Sequence, residues 1–317
     1  MSDAIARPVH SLRVVSASRA RAEGCTRSTV ARLVRSGRWH QICHGVYLVG
    51  WPGPRPRWRE LPVVTRVEAA LALHGPDAVV SHRSAAWLHQ LPEPPGTDAT
   101  VHLTLPPGRE RHQLPGMALH LRRLRADDVT TLTANASLAP EPMPCTTLEQ
   151  TLADVLRTWG DWAAVSALDH ALCQRLVDDS APSVLEPRLW RQRGATDARR
   201  RLRLGDGRAQ SPLETRIRLI AVAARIPPDE LQLPVHDASG HLLGYGDLAW
   251  HRPDGRTLVV EADGRRWHEA PEAVLHDRRR ANGFVGTGRI DMVRFVWDDT
   301  RRPSYVEGVL REHLSRR

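Results

Sequence analysis

The sequence has 317 residues, of which 41% are hydrophobic and 26% are charged, as in soluble proteins with a packed core. Mean hydropathy is −0.40 and apolar runs are short, so we expect neither a membrane-spanning helix nor a secretory signal. Four widely spaced Cys residues argue against a disulfide framework and a cysteine zinc site, and a cytoplasmic protein is expected.

The formal net charge is +9, and all 45 Lys or Arg positions are Arg. Residues 1–50 contain 8 Arg and 2 acidic residues, and residues 191–207 contain 6 Arg and 2 acidic residues. Such clusters favour an anionic partner, and we predict a nucleoid-associated protein that binds duplex DNA and no membrane. The alternative is an ordinary solvated surface.

The N-terminal residues predict two short helices. Ser16–Glu23 forms the first, Gly24 and Cys25 form a turn, and Thr26 caps a second helix that runs to about Ser36. At helical spacing the second helix has an apolar face and a basic face. The apolar face holds Val30, Leu33 and Val34, and the basic face holds Arg27, Arg32 and Arg35.

A β-hairpin is predicted directly after these helices. Residues 38–49 alternate in polarity and turn near His44-Gly45, as the wing of a winged helix-turn-helix would. The alternative is a small helical hairpin with solvated Arg side chains. The predicted contacts to duplex DNA are Arg27, Ser28, Arg32, Arg35, Arg38 and His40.

The middle of the chain predicts a mixed α/β module. Its predicted helices are Arg66–His74, Ser81–His89, Thr147–Arg157 and Trp162–Leu176, with strands Val101–Leu105 and Ala118–Arg122. Residues 183–205 predict Arg-rich helix, and residues 140–144 predict a loop. The histidines of this region lack metal-ligand spacing, so we expect a scaffold without chemistry of its own.

Two stretches carry a first resemblance. GCTRSTVARLVRSGRWHQICHGVYLVG resembles the winged-helix start of AbiEi-type antitoxins, the regulators of type IV toxin–antitoxin systems. AVVSHRSAAWLHQLP, VHLTLP and TTLEQTLADVL resemble the middle part of bacterial proteins that carry this domain. The resemblance covers roughly residues 1–180. It implies a DNA-binding autoregulator whose partner is a nucleotidyltransferase toxin encoded nearby.

The last third predicts the order helix, three strands, helix, strand and a closing helix. Pro253-Asp254-Gly255 is a turn signal between two strands. Asp247 and Glu261 each lie seven residues from Asp254, so a hairpin centred there places them opposite one another. Paired carboxylates at the end of a buried strand need a cation, a shared proton or an Arg, and Mg²⁺ is the natural solution.

Simpler interpretations of these residues stay open. Asp263-Gly264 alone is a strand-ending turn, Asp247 alone could lie on a surface strand, and His268 after Trp267 could be a packed structural histidine. Their joint occurrence on one hairpin, after a helix that carries Glu214, favours a functional site.

The last third also carries a second resemblance. SPLETRIR, DLAW, VVEADGRRWH, HDRRRANGFVGTG and VRFVWDD resemble the PD-(D/E)XK nucleases, more narrowly the domains related to the very-short-patch repair endonuclease. This resemblance implies that Asp247, Glu261 and the Ala262 carbonyl hold Mg²⁺ or Mn²⁺. It also implies a supporting Glu214, a His268 that acts as general base or orients the attacking water, and Asp277 and Arg280 bordering the site. The implied catalytic set is Glu214, Asp247, Glu261, Asp263 and His268.

Asp263 stands where this superfamily usually has lysine. It could bind a second metal ion or orient His268, but it cannot stabilise a developing anion as lysine would.

Together these patterns predict an α+β multidomain protein. We expect a winged helix-turn-helix in residues 1–52, a middle α/β module in residues 53–204, and an αβββαβ restriction-endonuclease-like fold in residues 205–317. The predicted function is that of a DNA-binding protein with a Mg²⁺-dependent DNA endonuclease domain, in phage defence or a toxin–antitoxin system. The alternative is an AbiEi-like antitoxin and transcriptional regulator whose nuclease-like domain is inactive.

Overall fold

A computed structural model of the chain describes residues 12–92, 100–109, 112–133, 142–264 and 280–315. The chain divides into two compact units, Met1–Val155 and Leu156–Arg317. The first unit contains the N-terminal module and the sheet of the middle module. The second unit begins with helices that the sequence assigned to the middle module, so this grouping differs from the predicted boundaries at residues 52 and 204.

The N-terminal module pairs two helices with a three-stranded antiparallel sheet. Its elements are β1 (Arg13–Ser16), α1 (Ala17–Ala22), α2 (Arg27–Arg35), β2 (Trp39–Cys43) and β3 (Val46–Val49), with β3 between β1 and β2. The Thr26 hydroxyl caps α2 by accepting a hydrogen bond from the Thr29 N–H at 3.1 Å. The two helices, this cap and the hairpin turn at residues 44–45 are confirmed, whereas β1 has no counterpart in the sequence predictions.

The middle of the chain forms a five-stranded mixed sheet with helices. Its core joins Val67, Leu103 and Cys145, none of which is exposed. The sheet order is β6-β5-β4-β8-β7. The elements are α3 (Val63–His74), β4 (Val79–Val80), α4 (His82–Leu88), β5 (Val101–Leu105), β6 (Met117–Leu121), β7 (Val129–Leu132), β8 (Met143–Thr146) and α5 (Leu148–Thr158).

The second unit opens with helices and continues into a second sheet. Gly194, at φ 80°, divides the predicted helical stretch 183–205 into two helices, because only glycine adopts that conformation readily. The elements are α6 (Asp161–Cys173), α7 (Ala181–Leu189), α8 (Ala195–Arg203), α9 (Pro212–Ala223), β9 (Glu230–His236), β10 (Leu242–His251), β11 (Thr257–Ala262), α10 (described over 280–286), β12 (Ile290–Phe295) and α11 (Pro303–Ser315).

The sheet of the second unit has the order β12-β11-β10-β9. β9, β10 and β11 are antiparallel neighbours, and β12 runs parallel to β11. One face packs on α9 and α11 through residues such as Ile217 and Leu310, while Phe284 of α10 packs against Val259 on the other face. Residues 271–279 of the predicted helix Pro271–Phe284 lie outside the described residues. The described chain as a whole is a mixed α/β protein with several sheets.

Among the described residues, none of the helices combines the length and apolar character needed to cross a membrane.

Candidate nucleic-acid interface and carboxylate cluster

The outward face of α2 is basic. Arg27, Arg32 and Arg35 are exposed, while Val30 on the opposite face is buried in the core of the N-terminal module. Ser28 and Arg38 are exposed as well. This helix therefore offers three guanidinium groups to solvent without opening its packed side, as a helix that contacts phosphates and base edges must.

The β2–β3 hairpin lies beside this basic face. Arg27 and Arg35 line an open groove of about 840 Å³ together with Gln41, His44 and Tyr47 of the hairpin. Helix and hairpin thus present their polar groups to one concave surface. A concave, basic surface suits the phosphate backbone of a nucleic acid.

His40 lies elsewhere than expected. Its side chain is only 8% exposed, because the strand alternation turns His40 inward between Trp39 and Gln41. This burial removes His40 from the surface that would face DNA, in contrast to the five other predicted contacts.

In the second unit, the hairpin of β10 and β11 has the predicted register. Leu248 pairs with Val260 and His251 pairs with Thr257, so the hairpin is centred on Asp254. One step further along, the Asp247 carboxylate accepts a hydrogen bond of 2.8 Å from the Ala262 N–H. Local turn chemistry and alternation therefore sufficed to place Asp247 beside the end of β11.

Asp247 lies close to Glu214 of α9. Glu214 accepts hydrogen bonds from the Gln210 N–H at 2.8 Å and from the Gln232 side-chain amide at 3.0 Å. Burial, with the Asp247 charge as a smaller cause, raises the pKa of Glu214 to about 7. Burial also raises the pKa of Asp247, against the opposing effects of the Ala262 N–H and Arg280. The structure brings these two acids together.

Gln232 joins the two acids and is itself conformationally unusual. It lies on β9 at φ 55°, a left-handed conformation that is uncommon for a residue other than glycine. Its amide also hydrogen-bonds Asp247 and thereby lowers that carboxyl's pKa. A backbone held this way aims the Gln232 amide at the acidic pair, a role that no sequence pattern indicated.

Glu261 has different partners. It is 5% exposed and forms a two-point ion pair with Arg280, with both N–O distances at 2.9 Å. Arg294 of β12 lies 3.4 Å from the same carboxylate. Arg280 also donates to the Tyr245 carbonyl at 3.0 Å, which fixes the guanidinium over the end of the hairpin. A buried carboxylate needs a cation, a shared proton or an arginine, and the described partner of Glu261 is arginine.

The described groups that the resemblance assigns to a divalent metal ion have other partners in this structure. Besides the Glu261 ion pairs, the Ala262 carbonyl accepts a hydrogen bond from the Gly264 N–H at 3.1 Å. No three or more His, Cys, Asp or Glu side chains converge as metal ligands in the parts of the chain that the structure describes. Asp263 lies at the end of β11, where its N–H donates to the Phe295 carbonyl at 2.8 Å. His268 and Asp277 lie outside the described residues.

A histidine cluster in the first unit went unrecognised in the sequence. The His82 ring stacks on His120 with centroids 3.5 Å apart, and His102 Nδ1 lies 3.0 Å from His120 Nε2. Burial, with smaller effects of His120 and Arg83, lowers the pKa of His102 to about 4. The only sequence signal is a histidine on each of two short strands, and the parallel β5–β6 pairing that joins them is not readable locally.

A buried acid borders this cluster. Asp154 of α5 is unexposed and receives two hydrogen bonds of 2.9 Å from Arg122. His82 Nδ1 lies 3.7 Å from the same carboxylate and 3.0 Å from the Ser81 hydroxyl. The middle module therefore holds a polar network at its centre rather than scattered histidines.

Comparison with known proteins supports the first resemblance. Residues 10–50 match the family model described as "Transcriptional regulator, AbiEi antitoxin". The chain is also similar to a crystal structure of the RV2827C protein from Mycobacterium tuberculosis, at 20% identity and a TM-score of 0.38 over 69% of this chain and 78% of that one. A score this low does not show a shared fold.

Two relatives match along almost the whole chain. They are the uncharacterized proteins MT2308, from Mycobacterium tuberculosis strain CDC 1551 / Oshkosh, and Rv2248, from strain ATCC 25618 / H37Rv. Each is 30% identical over 300 residues, which cover 92% of this chain and 98% of the relative. The chain therefore belongs to the family of MT2308 and Rv2248.

Proposed function

We propose that this protein is a transcriptional regulator that binds duplex DNA through α2 and the β2–β3 hairpin. One observation carries the proposal: the exposed face of Arg27, Arg32 and Arg35 lies within the segment that matches the AbiEi antitoxin model. The groove shared by α2 and the hairpin supports docking of this helix on DNA, and the exposed Ser28 and Arg38 are proposed as further contacts.

The test measures binding to labelled duplex DNA by fluorescence anisotropy at a series of salt concentrations, with EDTA present throughout. Each phosphate contact contributes a slope of about −0.9 to log K against log salt, so replacing Arg27, Arg32 and Arg35 with Ala should flatten the slope by up to about 2.7. A matched control replaces three exposed Arg residues outside α2, namely Arg55, Arg59 and Arg123. Equal slopes for the α2 variant and the control would refute the interface.

The proposal includes a partner. Similarity to the AbiEi antitoxin model suggests regulation of a toxin operon, and the toxin class implied by the resemblance is a nucleotidyltransferase. If the adjacent gene encodes a nucleotidyltransferase, co-expression of the two proteins should relieve its growth inhibition. Unrelieved toxicity would leave DNA-binding regulation without the antitoxin role.

A second candidate function is metal-dependent phosphodiester hydrolysis by the second unit, in phage defence. The juxtaposition of Glu214 and Asp247 beside the hairpin that carries Glu261 supports it. The ion pair of Glu261 with Arg280 favours instead a nuclease-like domain that does not cut. Supercoiled plasmid incubated with Mg²⁺ or Mn²⁺ separates the two: nicking that is lost in EDTA and in Glu261→Gln would establish the nuclease, and no nicking would refute it.

A further inference from the structure

The connection between α7 and α8 presents an exposed tryptophan. Trp190 is 60% exposed, more than any other large hydrophobic side chain in the described part of the chain. It follows Leu189, which is fully buried and anchors the end of α7. A large aromatic ring left in water at the end of a well-anchored helix is a common feature of binding surfaces.

The tryptophan is accompanied by arginine. The Arg199 guanidinium of α8 lies 5.4 Å from the Trp190 ring centroid, within the range of a cation–π contact. Because most of the indole remains exposed, the ring can still accept a planar partner. Three more arginines of this segment are exposed: Arg191 and Arg193 in the connection itself, and Arg203 one helical turn beyond Arg199. These five residues are called the Trp190 patch.

The charge of the patch is not balanced by acidic neighbours. Between residues 188 and 204 the sequence has seven Arg and one acidic residue. The Asp161 carboxylate accepts hydrogen bonds from the guanidinium groups of Arg200 and Arg201, at 2.7 and 2.8 Å. Within the described residues, the ion pairs to acidic side chains involve none of the four Arg of the Trp190 patch. Its positive charge is therefore available to an anionic partner.

The connection is held in a defined shape. Gly194 is at φ 80°, and a Cβ at this position would lie 3.0 Å from the Arg157 carbonyl oxygen. The Arg157 guanidinium in turn donates to the Arg193 carbonyl at 3.2 Å. Arg191 is at φ 55°, a conformation that costs a residue other than glycine free energy and that occurs more often at functional positions. The patch is thus a fixed platform rather than a loose loop.

We propose that the Trp190 patch binds single-stranded nucleic acid, with an unpaired base stacked on Trp190 and the flanking phosphates on the arginines. Arginine alone would serve for the backbone of a duplex, whose bases are already stacked on one another. An exposed indole adds a surface that only an unpaired base can use, and aromatic rings with basic flanks are how proteins bind single strands without reading their sequence. The site lies in the second unit and does not depend on the duplex-binding function proposed for α2.

The test uses the full chain and fluorescein-labelled 20-mers of deoxythymidine and of uridine, with a 20-bp duplex as the third probe. Stacking of one base predicts that Trp190→Ala weakens single-strand binding roughly 5- to 150-fold. Trp190→Phe should retain most of the affinity, and neither change should alter duplex binding. The tighter of the two single strands identifies DNA or RNA as the source of the ligand.

Charge is tested separately. Replacing Arg191, Arg193 and Arg203 with Ala should flatten the salt dependence of single-strand binding by up to about 2, since each contact contributes a slope of about −0.7. The Arg55, Arg59 and Arg123 variant is the control and should bind as the wild type does.

Three results would overturn the proposal: no single-strand binding by the wild type at low salt, equal single-strand affinity in Trp190→Ala, or an equal loss of duplex binding. Loss of duplex binding on mutation of α2 leaves this test unaffected, because the probes differ.

Discussion

Replacing His102 with Gln should make the stability of the first unit less sensitive to acid. Burial, together with His120 and Arg83, holds the pKa of His102 at about 4 against an ordinary value of 6.5. The unfolded chain therefore binds a proton at a pH where the folded chain does not. The contribution of His102 is fully present above about pH 6.5 and is lost as the pH falls towards 4.

The size of the effect follows from the two pKa values. The whole shift corresponds to about 3 kcal/mol, at about 1.4 kcal/mol for each pH unit. Between pH 7 and pH 5 the wild type should lose about 2 kcal/mol through His102 alone. Gln keeps a polar side chain opposite His120 but cannot titrate, so His102→Gln should lose about 2 kcal/mol less over the same interval.

Two measurements check this. Urea unfolding at pH 7 and pH 5 gives the difference in free energy between wild type and variant, with His241→Gln as the control because His241 is exposed. An NMR titration of the imidazole carbons, assigned by loss of the His102 signal in the variant, gives the pKa directly. Equal acid sensitivity of wild type and His102→Gln, or a His102 midpoint near 6.5, would refute the reasoning.

Three further changes test other parts of the structure. Thr26→Ala should lower the free energy of unfolding by about 1 kcal/mol through loss of the α2 cap, whereas Thr26→Ser should restore it in urea unfolding. Asp154→Asn should cost about 3 kcal/mol in the same assay, because Arg122 loses a buried carboxylate; a cost below about 1 kcal/mol would contradict the assigned pair. Mg²⁺ should raise the Tm of Arg280→Ala more than that of the wild type, since Arg280 already neutralises Glu261; equal shifts in thermal denaturation would contradict this.

Features set by neighbouring residues could be predicted from the sequence. The Thr26 cap and the hairpin centred on Asp254 depend on side chains and turns within a few positions, and both lie where the pattern placed them. β4 and β8 could not be predicted, because they are short, and Pro144 made residues 140–144 look like a loop. Their strand conformation is imposed by pairing with distant segments.

The contact partners of the candidate site residues were harder to predict than the positions of those residues in the fold. The sequence predicted Asp247 and Glu261 at the end of one hairpin. No pattern in the neighbouring residues indicated that Arg280 would form an ion pair with the Glu261 carboxylate. The parallel pairing of β5 and β6 likewise brings His102 and His120 together from 18 positions apart. Such contacts depend on register between remote segments, which side-chain periodicity does not encode.

The amide of Gln232 has a consequence for how the acidic pair responds to its surroundings. An amide N–H can donate to a carboxyl oxygen whether that carboxyl is ionised or protonated. With a pKa of about 7, Glu214 gains or loses its proton near neutrality while its contacts with Gln210 and Gln232 stay available. The charge of Glu214 can therefore change at this end of the sheet while both of its hydrogen bonds remain possible.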